Sequence, residues 1–274
     1  MKKKRVCRYV LSWMVSLILC LIYLFPFYIV VVLSLKPQAD TSSRLLLPQY
    51  LYLDNYISVI RSGEILNAIK NNIIIIAGSL LLIIVAGSLA SYPLARVQSR
   101  FNEWIRKFFM GIMMITPLTI LVGVYSILSG IGAISTYWGI ILILTTFGIP
   151  QAVFLYTNFI EAIPVELDEA AAIDGAGRLR TFFEVIFPQM IPVTVSIIIM
   201  QGVNIWNNYL FTHYILQKKN MFTVTQVING YFSTISSNYG GAAAVAVMGM
   251  LPVVVLYLFL QRYFVRGTMD SAIK

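Results

Sequence analysis

The chain has 274 residues, of which 59% are apolar and only 11% charged, and it carries a formal net charge of +9. Its apolar residues run in long blocks instead of alternating with polar ones, which excludes a soluble globular fold and implies helices that cross a bilayer core of about 30 Å. The basic residues are scattered over the ends of those blocks and form no single stripe, which argues against a nucleic-acid interface.

In chain order, six blocks are long enough to span, each needing roughly 20 apolar residues. They run from Val10 to Val32, Asn72 to Tyr92, Phe108 to Leu128, Trp138 to Ile160, Ile191 to His213 and Ala242 to Gln261. The first follows Lys2, Lys3, Lys4 and Arg5 as a secretory signal would. It is longer than a signal's apolar region of about 7–15 residues and lacks a small-x-small cleavage site, so it reads as a retained helix. Cys7 lies in the tail and Cys20 inside the first block, so no disulfide is expected between them. Placing the N-terminus in the cytoplasm puts fourteen Lys and Arg inside and six outside, which predicts that both termini are cytoplasmic.

The six blocks contain no Asp, Glu, Lys or Arg, and the one histidine, His213, sits at the outer end of the fifth. A proton or sodium relay through the membrane therefore has little to work with. One histidine and two separated cysteines are too few for a metal site of three or four ligands. The G-x-x-x-x-G-K-[ST] phosphate loop is also absent, so the chain is not expected to hydrolyse ATP itself.

One predicted cytoplasmic segment, Glu161 to Pro188, departs from this apolar pattern and holds six of the eleven acids. Pro164 suits the first position of a helix, Glu166, Asp168 and Glu169 favour its N-terminal end, and Ala170 to Ala172 propagate it. Asp174-Gly175 then stops it, and Gly175 is expected to take a positive φ. A second short helix follows, because Leu179, Phe182, Phe183, Ile186 and Phe187 recur at helical spacing. That stripe could lie on the protein's own membrane helices or on headgroups, or the pair could present a rigid elbow to a cytoplasmic partner.

In this segment Glu169-Ala170-Ala171, Gly175 and Ile186-Phe187-Pro188 together resemble the cytoplasmic signature of the permease subunits of binding-protein-dependent ATP-binding-cassette importers. The longer form Glu-Ala-Ala-x-Ile-Asp-Gly-Ala matches from Glu169 to Ala176. Ser34-Leu35-Lys36-Pro37, Asn55-Tyr56, Ala90 to Arg96, Met114 to Pro117, Trp206-Asn207 and Gln261 to Gly267 narrow the resemblance to the carbohydrate-uptake branch, the maltose-type second permease. Ser91-Tyr92-Pro93 and the end Asp270 to Lys274 depart from the commoner forms of that branch.

The resemblance implies an all-α polytopic protein with six transmembrane helices in the type I importer permease fold. Residues 1–66 would hold the N-terminal tail, first span and outer loop, 67–262 the permease domain with its coupling loop at 161–190, and 263–274 a cytoplasmic tail. It implies a non-catalytic subunit forming half of the path for a sugar delivered by an extracytoplasmic binding protein. A second homologous permease and a dimer of ATPase subunits binding ATP and Mg²⁺ would complete the importer, and this chain would need no cofactor. Glu169, Ala170, Ala171, Asp174, Gly175 and Pro188 would form the contact that couples to the ATPase, and the tail from Arg266 to Lys274 could touch it too.

For the substrate path, Gln201, Asn204 and Asn208 fall on one helical stripe of the fifth block, where amides suit sugar hydroxyls or, equally, hydrogen bonding between helices. A non-sugar solute, a secondary carrier and a purely structural membrane subunit remain as alternatives.

Overall fold

The computed structural model describes residues 2–40, 42–232 and 238–271, with the side chains of 11–40, 42–232 and 238–259. Those residues form helices and connecting loops without a strand. Four helices are long and apolar enough to cross a membrane: α1 (Lys2–Ser34), α3 (Glu64–Arg96), α6 (Tyr137–Ala162) and, further along, α12 (Tyr239–Ser271). Counting each of two bent pairs as one span brings the number to six. One is α4 (Arg100–Met113) with α5 (Pro117–Gly130), bent by 101°, and the other is α8 (Arg178–Gln189) with α9 (Ile191–Trp206), bent by 71°. The short helices are α2 (Asp54–Ser62), α7 (Glu166–Ile173), α10 (Leu210–Ile215) and α11 (Val224–Gly230).

The third and fifth blocks therefore differ from the straight spans expected of them. In the third, Ser99 caps α4 by accepting from the Asn102 amide, and Met114 to Thr116 break the helix before Pro117 starts α5 at its first turn. Proline is tolerated there because its missing N–H would have no partner in a first turn. In the fifth, α9 ends at Trp206, and Asn208 caps α10 by accepting from the Phe211 amide at 3.1 Å.

The chain forms two compact units. The first comprises residues 1–66 and 227–251. Here the end of α1 is fixed to α2 by buried polar contacts. Asn55 Nδ2 donates to the carbonyls of Ser34 and Lys36 at 3.0 and 2.8 Å, and the hydroxyls of Ser34 and Tyr56 lie 2.6 Å apart. Lys36 is buried, its Nζ donating to Ser42 Oγ and the Ser43 carbonyl and lying 3.8 Å from Asp40. The Ser34-to-Pro37 and Asn55-Tyr56 stretches thus build one loop clasp. Farther along α1, Trp13 and Tyr23 are exposed, as lipid-facing side chains are.

The second unit comprises residues 67–226 and 252–274, and its core is built around α6. Ile140, Leu144, Tyr156 and Ile160 of α6 share one buried cluster with Ile75 and Ile83 of α3 and Ile197 and Ile205 of α9. Close approach requires a small residue at Gly148, where an added Cβ would overlap Ile83 Cδ1. Between apolar helices, hydrogen bonds fix the register. Ser91 Oγ donates to the Val153 carbonyl, Tyr137 donates to Asn71 Oδ1 at 2.7 Å, and Asn72 joins the Trp206 carbonyl to the Val224 amide. These asparagines let α3 continue beyond its apolar block, because each buried amide has a partner.

Candidate functional site

The Glu161-to-Pro188 segment folds as a helix, a tight turn and a second helix. The helix α7 starts at Glu166, with Val165 as its capping residue, so Pro164 stands just before the helix and not at its first position. Its first turn carries Glu166, Asp168 and Glu169, where the helix dipole favours acids.

The end of α7 explains the spacing between Ala171 and Gly175. The Gly175 amide donates to the Ala172 carbonyl at 3.1 Å, and the Ala176 amide donates to the Ala171 carbonyl at 2.9 Å. This is the paired closure of a Schellman motif, which needs a residue in the left-handed region between them. Gly175 has φ +77°, as expected, and an added Cβ would meet nothing within 4 Å. Backbone conformation, and not space, therefore selects glycine there. Ala171 is buried under the turn, while Asp174, the last residue before it, is exposed.

The helix is anchored by Asp168. Its Oδ2 lies 2.8 Å from Arg96 Nη2, and Oδ1 accepts a 2.6 Å hydrogen bond from the Tyr92 hydroxyl. Arg96 Nη1 also donates to the Ile163 carbonyl at 3.0 Å. The Arg96 and Asp168 side chains keep only 12% and 16% of their exposure, so the pair works in a medium where charge attraction is little screened. Sequence reasoning assigned Asp168 only to the helix dipole and Ala90-to-Arg96 only to a family likeness. The i, i+4 spacing of Tyr92 and Arg96, which places both on one helix face, was the available signal.

Clamping one face of α7 leaves the other open. Asp168 and Ala172 face a cleft beside α3, whereas Glu169 and Ala170 are exposed and Ile173 retains 86% of its surface. After the turn the expected apolar stripe divides. Phe182 and Ile186 are fully buried, but Leu179 and Phe183 are exposed. The stripe is thus partly core and partly open surface. Between Phe182 and Ile186 the helix widens into a π-turn, and the Phe187 amide donates to the Phe182 carbonyl. The exposed Pro188 follows directly, and the wide turn accommodates its missing N–H and bulky ring.

The three amides of the fifth block do not share one stripe, because the helix breaks after Trp206. Gln201 is buried, its Nε2 donating to Gln151 Oε1 of α6 at 2.8 Å. Asn204 is exposed on α9, and Asn208 is occupied by the cap of α10. The side chains from Arg266 to Lys274 lie outside the described residues. Among the described residues no three His, Cys, Asp or Glu side chains cluster as metal ligands.

Long apolar helices and bent pairs around α6, with a short helix clamped at one end, define a polytopic membrane protein. Residues 83–270 match the binding-protein-dependent transport system inner membrane component family, and the chain belongs to it. It is 39% identical over 266 residues, 97% of this chain and 96% of its relative, to the melibiose/raffinose/stachyose import permease protein MelC of Bacillus subtilis (strain 168). It is 31% identical, over 100% of both chains, to the probable starch degradation products transport system permease protein AmyC of Thermoanaerobacterium thermosulfurigenes. In fold it matches a chain of a bacterial ABC transporter involved in the import of the acidic polysaccharide alginate, with a TM-score of 0.82 and 19% identity. That match covers 96% of this chain and 98% of the other, and the shared fold is that of type I importer permeases.

Proposed function

We propose that this chain forms half of the translocation path of an ATP-driven oligosaccharide importer, with α7 as the helix that receives force from a separate ATPase dimer. The observation that carries the coupling role is the division of α7 into a clamped face and an open one. Asp168 ties the helix to Arg96 and Tyr92 of α3, while Glu169, Ala170 and Ile173 remain free to meet a partner. A helix held this way moves with its membrane span as a rigid body, which coupling requires. Asp174, Gly175 and Ala171 set the turn, and Pro188 starts the return toward α9.

The sugar assignment is supported by the names of the relatives, which are permeases for melibiose, raffinose and stachyose and for starch degradation products. ATP and Mg²⁺ would bind the ATPase, a second homologous permease would complete the path, and an extracytoplasmic binding protein would deliver the sugar. The fourteen-to-six distribution of basic residues supports an orientation with both termini and α7 in the cytoplasm. We assign 67–262 as the permease domain, between the 1–66 segment and the 263–274 tail. The compact units, 1–66 with 227–251 and 67–226 with 252–274, support the first boundary and not the one at 262–263. Within the path, Asn204 is the amide free to meet a sugar, and Gln201 positions α9 against α6.

Deleting the gene and measuring raffinose and maltodextrin uptake tests the assignment, together with mass-spectrometric identification of subunits that co-purify with the tagged chain. Loss of uptake and recovery of an ATPase, a second permease and a binding protein are expected. Uptake that persists without ATP and follows a proton or sodium gradient would refute it.

A further inference from the structure

Beside the clamped face of α7 lies a cleft of about 1220 Å³, bounded by the end of α3, the start of α4 and the turn leading into α8. Three carboxylates line it, and each is already committed: Asp168 to Arg96, Glu161 to Arg106, and Glu103 to Lys107. Two further guanidinium groups in the lining, Arg100 and Arg178, have no carboxylate within ion-pair distance among the described residues. Once the pairs are counted, the cleft keeps two uncompensated positive charges.

Part of its wall is apolar. Leu89 lies in the wall about 10 Å of helix rise before Arg96. Leu94, Val97, Val165 and Phe182 continue the wall. On the face of α4 turned away from the cleft, Phe101, Trp104 and Phe108 are exposed, the last two stacked with ring centroids 5.5 Å apart. Exposed aromatic rings beside basic residues at the end of a span mark the membrane–water interface. A cleft that runs from an apolar stretch of a span to two free guanidiniums matches an amphiphile with an anionic head. A segment of a soluble partner would have to descend beside the span to reach Leu89.

We propose that this cleft is a binding site for an anionic phospholipid, its phosphodiester held by Arg100 and Arg178 and its chains lying along Leu89 and Val97. Guanidinium groups make charge-assisted hydrogen bonds to phosphate oxygens, and Arg100 and Arg178 are the first residues of α4 and α8. An occupied site would therefore tie the start of α8, just after α7, to the start of α4, just after α3. The proposal does not depend on the identity of the transported solute.

The test is native mass spectrometry of the full chain with its co-purifying subunits, titrated separately with dioleoylphosphatidylglycerol, dioleoylphosphatidylcholine and inorganic phosphate. Phosphatidylglycerol should bind in preference to phosphatidylcholine. The R100Q/R178Q variant should lower that affinity about tenfold or more, while leaving phosphatidylcholine binding unchanged. K218Q/K219Q removes the same net charge from exposed lysines elsewhere and should retain phosphatidylglycerol. Equal binding of the two lipids, or undiminished phosphatidylglycerol binding by R100Q/R178Q, overturns the proposal. So does displacement by inorganic phosphate at equal concentration, which would mean a free-anion site. A photoreactive residue at Val97 that crosslinks to a protein subunit instead of lipid would also overturn it.

Discussion

The clamp between Asp168 and Arg96 yields a quantitative expectation. Replacing Asp168 with Ala leaves Arg96 largely buried without its counter-ion and the Tyr92 hydroxyl without its acceptor. Removing one partner of a buried pair costs about 3–5 kcal/mol. The 12% and 16% residual exposure of the two side chains and the remaining Arg96 bond to the Ile163 carbonyl lower this to about 2–3 kcal/mol. Because the pair joins α7 to the end of α3 and not to the α6 core, that energy should appear as local opening of α7. An opening constant raised about 30- to 150-fold follows from about 1.4 kcal/mol per tenfold change. Hydrogen–deuterium exchange of amides 166–176 should accelerate by that factor, while those of α6 keep their protection. The R96M/D168L pair, which removes both charges, should be milder than D168A alone. Unchanged exchange in D168A would show that the clamp does not hold α7, and the mechanical reading of the open face would fall with it.

Replacing Gly175 with Ala should cost about 1 kcal/mol, and Val more, through the positive φ alone. Both variants should reach the membrane normally, with co-purification of ATPase reduced most in G175V. G148L drives a side chain into Ile83 and should destabilise the helix core by about 1–3 kcal/mol, read as a lower melting temperature in detergent without selective loss of partner binding. Q201A should lose an interhelical bond worth about 0.6 to 1.7 kcal/mol and leave the KM for sugar unchanged, whereas N204A should raise that KM several-fold. A single cysteine at Ser43 should react with impermeant maleimide from outside intact cells and one at Ala176 should not, and the reverse result would invert the topology.

The spans were legible because lipid contact demands unbroken apolar blocks, but hydropathy carries no direction. That is why the turn at Met114 to Thr116 was missed even though Pro117 stood beside it as a helix starter. The first part of α3 was hidden for the opposite reason. Asn67, Asn71 and Asn72 read as an edge, yet they are satisfied by carbonyls of Asn220, Phe222 and Trp206, far away in sequence. The turn at Gly175 was readable because its cause is local. Asp168 was only half readable, since its partner Arg96 precedes it by a whole span and a bent helix. Phe182 and Phe183 show the same limit: adjacent aromatic residues look alike in a periodicity, and only packing sends one to the core and the other to the surface.

The two-sided use of α7 also restricts how this segment can change over evolutionary time. Each residue added to an α-helix rotates everything beyond it by about 100°. One insertion between Asp168 and Ala171 would keep the clamp but turn the Schellman closure, and the outward side chains near it, to another direction. One deletion would do the reverse. Substitutions can be sampled singly at Ala170, Ala172 or Ile173, whereas a change in length would have to remake the clamp, the open face and the turn together. Among homologous chains the interval from Asp168 to Gly175 should thus be nearly constant in length, even where its exposed residues diverge.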